Sequence, residues 1–480
     1  MTSRSLKSDA IKGGKWTTVS AVVGVIVQLS QLSILGRLLG PESFGQMAIM
    51  MVVIGLANSL ADFGMGNYLI QSEKVTSNLF WILIGFCAFA SLMLSCLIFL
   101  IAPSFASYYD APQLVSPLTW LSIVVIMNSI GQIPGAVLQK NLKFKFISAI
   151  EMASIITGMI VSIFYAWNGD GIWGLVLGQL SLSALKAALS FFIAFRLVLR
   201  LPKGVGEDLW KPLHFGILQT NERIFNFMSV NLDKLIIGKF LGEHALGLYS
   251  VAFQLMLRPI MVVGPIFSRV LYPLFSHIKN DNDRLIRGYL EIIRTSGLML
   301  FPIYLFLSAS SFVVIHMLLG PKWTEAAPLL SILSILGFSY SLGGPLSSLI
   351  LAKGRADLAL YLNIFSFLLN MIACYIGSQY EIKFVAVLLV TFNFAFLLPC
   401  DIYLRKILIG MPLSAYLNSL KYLFFGALGP IIIFNILFNY LRMDLLNSLC
   451  AGILSTIAFF THIFIYDRPL IKNTVKLIKA

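Results

Sequence analysis

The stretch Gly36-Arg37-Leu38-Leu39-Gly40-Pro41-Glu42-Ser43-Phe44-Gly45 returns 202 residues later as Gly238-Lys239-Phe240-Leu241-Gly242-Glu243-His244-Ala245-Leu246-Gly247. All three glycines and the basic second residue keep their places. Each copy falls at a tight turn between two long apolar runs. Gly40 and Gly242 are expected there as helix C-caps in a left-handed conformation, which glycine adopts without steric cost. The repeat makes the seventh apolar run the counterpart of the first, so each half holds six helices. Six is even, so the halves enter the membrane in the same orientation, related by an axis along the membrane normal. Such a parallel repeat is a transporter architecture, with the substrate site expected between the halves.

Outward from the repeat, the whole chain reads the same way. Of 480 residues, 58% are hydrophobic and only 12% charged, with mean hydropathy +0.87. Soluble domains carry about 25% charged residues, so a soluble enzyme, a disordered scaffold and a single-span receptor are excluded. Fourteen apolar runs, from 17–39 to 447–466, are each long enough to cross a bilayer as a helix. The predicted fold is an all-α polytopic membrane protein of about 14 transmembrane helices. Residues 1–205 and 206–410 form two six-helix bundles, and 411–480 adds helices 13 and 14 with a tail.

The net charge of +14 has a topological meaning. With the N-terminus cytoplasmic, 24 of the 35 basic residues fall in the tails and cytoplasmic loops, against five on the far side. The positive-inside rule produces that asymmetry, with both termini inside, and a nucleic-acid partner loses its support. The far-side loops are short, the longest lying around Tyr108-Tyr109-Asp110, too short for an extracytoplasmic catalytic domain. The basic N-terminus before the first run reads as an uncleaved span, since no small-residue cleavage site follows. The five cysteines lie singly in apolar segments and the five histidines are scattered. Neither a disulfide framework nor a metal site is expected. No phosphate-binding P-loop is present, so energy would come from an ion gradient (H+ or Na+) or from the substrate's own gradient. No cofactor and no catalytic residue are expected.

Polar residues inside the runs carry the functional signal. In run seven, Gln219, Glu222, Asn226, Ser229 and Asp233 recur at helical spacing on one face. Arg223 and Lys234 flank them, making two opposite-sign pairs roughly 16 Å apart along the axis. Such a seam must face protein or water rather than lipid. The aligned face of run one is polar but uncharged and ends in Gln31. Run eight adds Gln254 and Arg258, the latter about 18 Å below the far-side end of its span, and then Arg269. Run six contributes Lys186 and run two Asp62. The functional reading is a central, net cationic cavity of Arg258, Lys186, Lys234, Arg223 and Arg269, fit for a substrate pyrophosphate. Asp233, Glu222 and Asp62 serve gating or ion coupling, and Gln31, Gln219, Asn226, Ser229 and Gln254 supply polar lining. The bland reading is that each cation meets a nearby acid or snorkels to the interface. For Asp233 and Lys234 the choice between structural pair and gate stays open.

Several stretches together resemble a known family. They are Gly14-Lys15-Trp16, Leu35 to Gly45, Ala61-Asp62-Phe63-Gly64 through Gln71, Gln139 to Glu151 and Asn231 to Leu255. Arg269-Val270-Leu271-Tyr272-Pro273-Leu274-Phe275, Gly320-Pro321-Lys322-Trp323 and Ala352-Lys353-Gly354-Arg355 follow in order. The chain resembles a polysaccharide repeat-unit flippase of the Wzx type, near the colanic-acid exporter group. That group belongs to the multidrug/oligosaccharidyl-lipid/polysaccharide exporter superfamily. The resemblance implies a V-shaped two-bundle fold in a bacterial inner membrane, working by alternating access. Its substrate would be undecaprenyl-pyrophosphate-linked oligosaccharide for O-antigen, capsule or exopolysaccharide assembly. Implied partners are the lipid-linked oligosaccharide, membrane lipid, a polysaccharide polymerase and a chain-length regulator. The family has no strict site signature to carry over.

Two transporter readings of the same fold stay open: a drug/cation antiporter and a cell-wall lipid-precursor flippase. The antiporter would favour acids and aromatics in its cavity, whereas the charge here leans basic. A membrane-embedded glycan polymerase or transferase would need a larger extracytoplasmic loop.

Overall fold

The structure, a computed structural model, describes residues 3–72, 75–199, 202, 210–278, 281–440 and 445–471. Within them, side chains are described except at 3–19, 210–215, 217–219, 221–222, 225, 265–274, 276–277, 356 and 430–440. Among the described residues the chain is helical, with no strand. The helices are α1 (Ser3–Leu38), α2 (Pro41–Asp62), α3 (Met65–Gln71), α4 (Ser77–Tyr108), α5 (Val115–Lys140), α6 (Phe144–Trp167), α7 (Ile172–Val198) and α8 (Trp210–His277). Then follow α9 (Asn282–Ala309), α10 (Ser311–Leu319), α11 (Ala326–Ala352), α12 (Ala356–Gly377), α13 (Ile382–Phe392), α14 (Leu398–Ile409), α15 (Leu413–Tyr440) and α16 (Leu445–Tyr466).

Among the described residues, twelve segments are long and apolar enough to cross a membrane, against fourteen expected from the sequence. The difference has two sources. The helix 210–277 is counted once although Gly242 breaks it, and Leu413–Tyr440 falls outside the twelve. Outward faces of α4, α6 and α7 expose Phe89, Phe99, Leu100, Phe164, Trp167 and Phe192. So much exposed apolar surface suits lipid contact and no aqueous surface. The chain is a multi-pass membrane protein.

Two compact units divide the chain, Met1–Gly247 and Leu248–Ala480. The first half of α8 therefore packs with α1–α7, although the repeat makes it the counterpart of α1. In unit 1, α6 packs on α7 and on α1, while α5 packs on α7, α4 and α2. Small residues bring α6 and α7 together, with Gly174 and Gly178 against the Ser162 turn and Gly158 against Leu182. In unit 2, α9 is the hub, packing on α11, α15 and α16. α16 is stapled to α9 at both ends. Arg294 pairs with Asp467, and Ser310 and Ser448 bond to the backbone at 448 and 309. The two helices beyond the repeat thus belong to the core of unit 2.

The repeated turn takes different conformations in its two copies. Gly242 is non-helical with φ 82° and ψ 177°, whereas Gly40 is extended with φ −85° and ψ 172°. The expected left-handed Gly40 is thus corrected. Pro41 follows it at the helix N-terminus and confines the preceding residue to extended geometry, while Glu243 imposes no such limit on Gly242.

The two copies also meet. A Cβ on Gly45 would overlap the carbonyl oxygen of Glu243, and a Cβ on Gly247 would overlap that of Pro41. Glu243 is the repeat counterpart of Pro41, and Gly247 of Gly45, so one contact is made twice about the pseudo-twofold axis. The counterparts Glu42 and His244 pair across that axis at 2.7 Å. Around this seam Gln46 donates to Glu243 at 2.6 Å, Gln113 donates to Glu243 at 3.2 Å and Lys239 pairs with Asp110 at 2.9 Å. The Tyr109 hydroxyl donates to the Leu235 carbonyl at 3.2 Å. Burial, and then neighbouring Tyr108, push that hydroxyl's pKa up, so it stays a donor. These contacts fasten the two repeat turns together at the end of unit 1 with few basic residues.

Candidate functional site

The opposite end of unit 1, towards the basic loops, holds a cavity of about 740 Å³. Its position follows from a break in the second span. α2 ends at Asp62, and Phe63 and Gly64 both take left-handed geometry (φ 43° and 63°) before α3 begins. A carboxylate at a helix C-terminus faces the negative end of the helix dipole, and Asp62 is buried as well, with its side chain 8% exposed. Arg223 of α8 compensates by pairing with it. The same seam brings α8 close to α2 elsewhere. Gly216 lies against the Phe63 carbonyl, and Phe227 lies against Gly55.

From this wall the cavity extends to α3, α5, α6 and α7. Lys186 projects into it from α7, about 21 Å along the helix from Ile172, exposed and without a hydrogen-bond or ion-pair partner among the described residues. Glu151 of α6 accepts from Ser20 at 3.5 Å. Asn128 donates to Asn58 at 3.3 Å. Asn67, Gln132, Gln139 and Asn226 line the cavity with side-chain amides that have no partner among the described residues. Ser183 and Ser190, with Met127 and Phe227, complete a surface that is half polar, half apolar in character.

The structure thus brings together Asp62, Lys186, Arg223 and Asn226 from the residues singled out in the sequence. It adds Glu151 and the amides of Asn67, Gln132 and Gln139, which sequence reasoning missed. One signal lay in the spacing: Gln132 and Gln139 stand seven residues apart, two turns on one face of α5. Among the described residues the lining contains two acids (Asp62, Glu151) and two bases (Lys186, Arg223). The described charges of this cavity balance, and Arg258, which the sequence grouped with them, lies in unit 2.

Other predicted residues sit elsewhere. Gln31 donates to Ser162 at 3.3 Å, joining α1 to α6 rather than lining the cavity. The Lys234 ammonium donates to Asn231 at 2.8 Å, and Asp233 accepts from the Lys234 backbone N–H at 2.8 Å. Ser229 is half-buried on the same helix. Arg258 and Gln254 lie in unit 2, Arg258 half-buried just before Pro259 and Gln254 exposed one turn earlier. The side chains of Gln219, Glu222 and Arg269 lie outside the described residues. Among the described residues no cluster of three His, Cys, Asp or Glu could hold a metal ion.

Unit 2 holds a second polar cluster, set among α9, α11, α14 and α15. Arg405 of α14 is fully buried. It donates to the Tyr289 hydroxyl at 2.7 Å and to the Leu342 carbonyl at 3.2 Å. Its guanidinium lies 4.9 Å from the Tyr416 ring centroid, with Asp401 at 4.0 Å. Asp401 and Arg405 are one helical turn apart, a spacing that could have marked them as an internal pair.

The family model described as "Polysaccharide biosynthesis protein" matches residues 34–328. The teichuronic acid biosynthesis protein TuaB of Bacillus subtilis (strain 168) is 30% identical over 444 residues, 89% of each chain. The lipopolysaccharide biosynthesis protein WzxC of Escherichia coli (strain K12) is 28% identical over 391 residues, 78% of this chain and 76% of that one. Among solved structures, the lipid II flippase MurJ in an inward closed conformation superposes with TM-score 0.73 at 14% identity. That superposition covers 96% of this chain and all of that one.

Proposed function

The chain belongs to the polysaccharide biosynthesis protein family, and on that premise we propose that this transporter is a flippase for undecaprenyl-pyrophosphate-linked oligosaccharide repeat units. It moves them from the cytoplasmic to the opposite leaflet of a bacterial inner membrane, for O-antigen, capsule or exopolysaccharide assembly. Both termini are cytoplasmic, so the basic loops mark the side of substrate entry. A polysaccharide polymerase and a chain-length regulator act downstream, and an H+ or Na+ gradient is the candidate drive.

One observation carries the reading: unit 1 presents a polar cavity towards the basic loops and is closed by the glycine seam at its other end. A site open to one side and sealed from the other is the arrangement alternating access requires. Arg258 is assigned to the pyrophosphate, because a guanidinium fork gives paired, charge-assisted bonds to phosphate oxygens.

Deleting the gene in its native host tests the function. Undecaprenyl-pyrophosphate-linked oligosaccharide is expected to accumulate in the cytoplasmic leaflet, and a strain with no such accumulation would refute the flippase. Complementation with Arg258→Ala tests the site. That variant should insert normally yet restore no surface polysaccharide, whereas normal polysaccharide would remove Arg258 from the site.

A further inference from the structure

The cavity of unit 1 has a chemistry that differs from what a pyrophosphate requires. An anion needs donors. This lining offers acceptors as freely as donors, since every side-chain amide carries both a carbonyl and an NH2. Asp62 and Glu151 add carboxylate oxygens and balance Arg223 and Lys186. A pyrophosphate placed there would bring its charges against two carboxylates in a partly desolvated space, which is unfavourable without a cation surplus. A sugar hydroxyl is donor and acceptor at once and suits a surface that alternates the two. Four amides (Asn67, Gln132, Gln139 and Asn226) are unengaged by other described residues, and the Phe227 ring lies among them. The volume of about 740 Å³ is in the range of small-molecule sites, roughly 300–1,000 Å³, enough for a few sugar rings.

The geometry points to this cavity as a subsite for the uncharged, hydroxyl-rich part of the glycan headgroup, bonded by Asn67, Gln132, Gln139 and Asn226. The pyrophosphate is held elsewhere. The inference rests on the flippase reading, in which a glycan must pass through the protein. It goes further by assigning the sugar and the pyrophosphate to different residues.

The test uses the purified full chain and neutral trisaccharides built of glucose, galactose or mannose, with trigalacturonate and inorganic pyrophosphate as charged probes. Binding is read by saturation-transfer NMR and calorimetry. At least one neutral trisaccharide should bind, and the Gln132→Ala/Asn226→Ala double variant should weaken it by about tenfold or more, the loss expected for removed hydrogen bonds. Gln139→Ala, at an exposed position, gives the same direction of effect should the double variant fold poorly. Pyrophosphate should bind this cavity weakly and show no dependence on Lys186. The subsite is overturned if no neutral sugar binds, or if the amide variants bind it as wild type does. It is equally overturned if pyrophosphate or trigalacturonate binds more tightly than the neutral sugars and Lys186→Ala abolishes that binding. Translocation of lipid-linked oligosaccharide by the wild type in proteoliposomes separates the two claims. Sugar binding without translocation removes the flippase and keeps the subsite. Translocation with amide-independent sugar binding removes the subsite and keeps the flippase.

Discussion

Both units set an arginine beside an aspartate, the arginine half-buried in unit 1 and fully buried in unit 2, and they surround the pair with different packing. In unit 1, Asp62 and Arg223 form one wall of a cavity lined by amides without described partners. In unit 2, Arg405 is fully buried near Asp401, with Tyr289 and Tyr416 against the guanidinium. The inventory of charge is nearly the same, and what differs is room. A buried cation in a membrane helix is a functional hypothesis by default, yet Arg405, bonded to Tyr289 of α9 and to the Leu342 carbonyl of α11, fastens helices. The discriminating observation is whether side chains fill the space around the charge or leave it facing a cavity.

The largest expected effect is on the packed side of this comparison. Arg405→Leu removes the hydrogen bond to Tyr289, the bond to the Leu342 carbonyl and the contact with the Tyr416 ring. It also leaves Asp401, with its side chain only 16% exposed, lacking its counter-ion. Removing one member of a buried ion pair costs about 3–5 kcal/mol. A sharply lowered melting temperature in detergent is expected, with transport per folded molecule unchanged in whatever folds. Normal stability with lost transport would reverse the comparison and make unit 2's cluster a working site.

A smaller effect is expected at the cavity wall. Arg223 is partly exposed, so solvent relieves some of the loss when the pair is broken. Arg223→Gln and Asp62→Asn should each destabilise the protein, and the double change should recover part of that loss. The double-mutant cycle should give a coupling of about 1–3 kcal/mol. Strictly additive effects would mean that the wall is held by helix packing at Gly216 and Gly55 rather than by the pair.

How much of this was legible beforehand follows from the same residues. Helix number, repeat and loop charge are one-dimensional patterns, and hydropathy and spacing carry them directly. The polar face of α8 was visible for the same reason, and it leads to Arg223 and Asn226 in the cavity. What was hidden is pairing between distant segments. Nothing in the sequence near Arg223 announces its pairing with Asp62, and nothing near Lys186 announces that Glu151 lines the same cavity. Arg405 was hidden differently. Its place near the end of an apolar run is where loop cations also stand, and only packing distinguishes a snorkelling side chain from a buried one.

The smallest expected effect concerns the seam that closes the other end of unit 1. There the two repeat turns meet through two kinds of contact of unequal weight. Glu42 and His244 sit on the pseudo-twofold axis, and their side chains are 55% and 48% exposed. Exposed pairs contribute about 0–1 kcal/mol, so Glu42→Gln/His244→Gln should leave stability and transport close to wild type. Gly45 and Gly247 press against backbone carbonyls that cannot move aside without moving their helices. The seam is therefore held by close backbone approach, with the ion pair a surface addition. A transport defect in the Glu42/His244 double variant as large as that of Gly247→Ala would overturn this ranking. It would show that charge, rather than the fit of two glycine turns, keeps the cavity open to one side only.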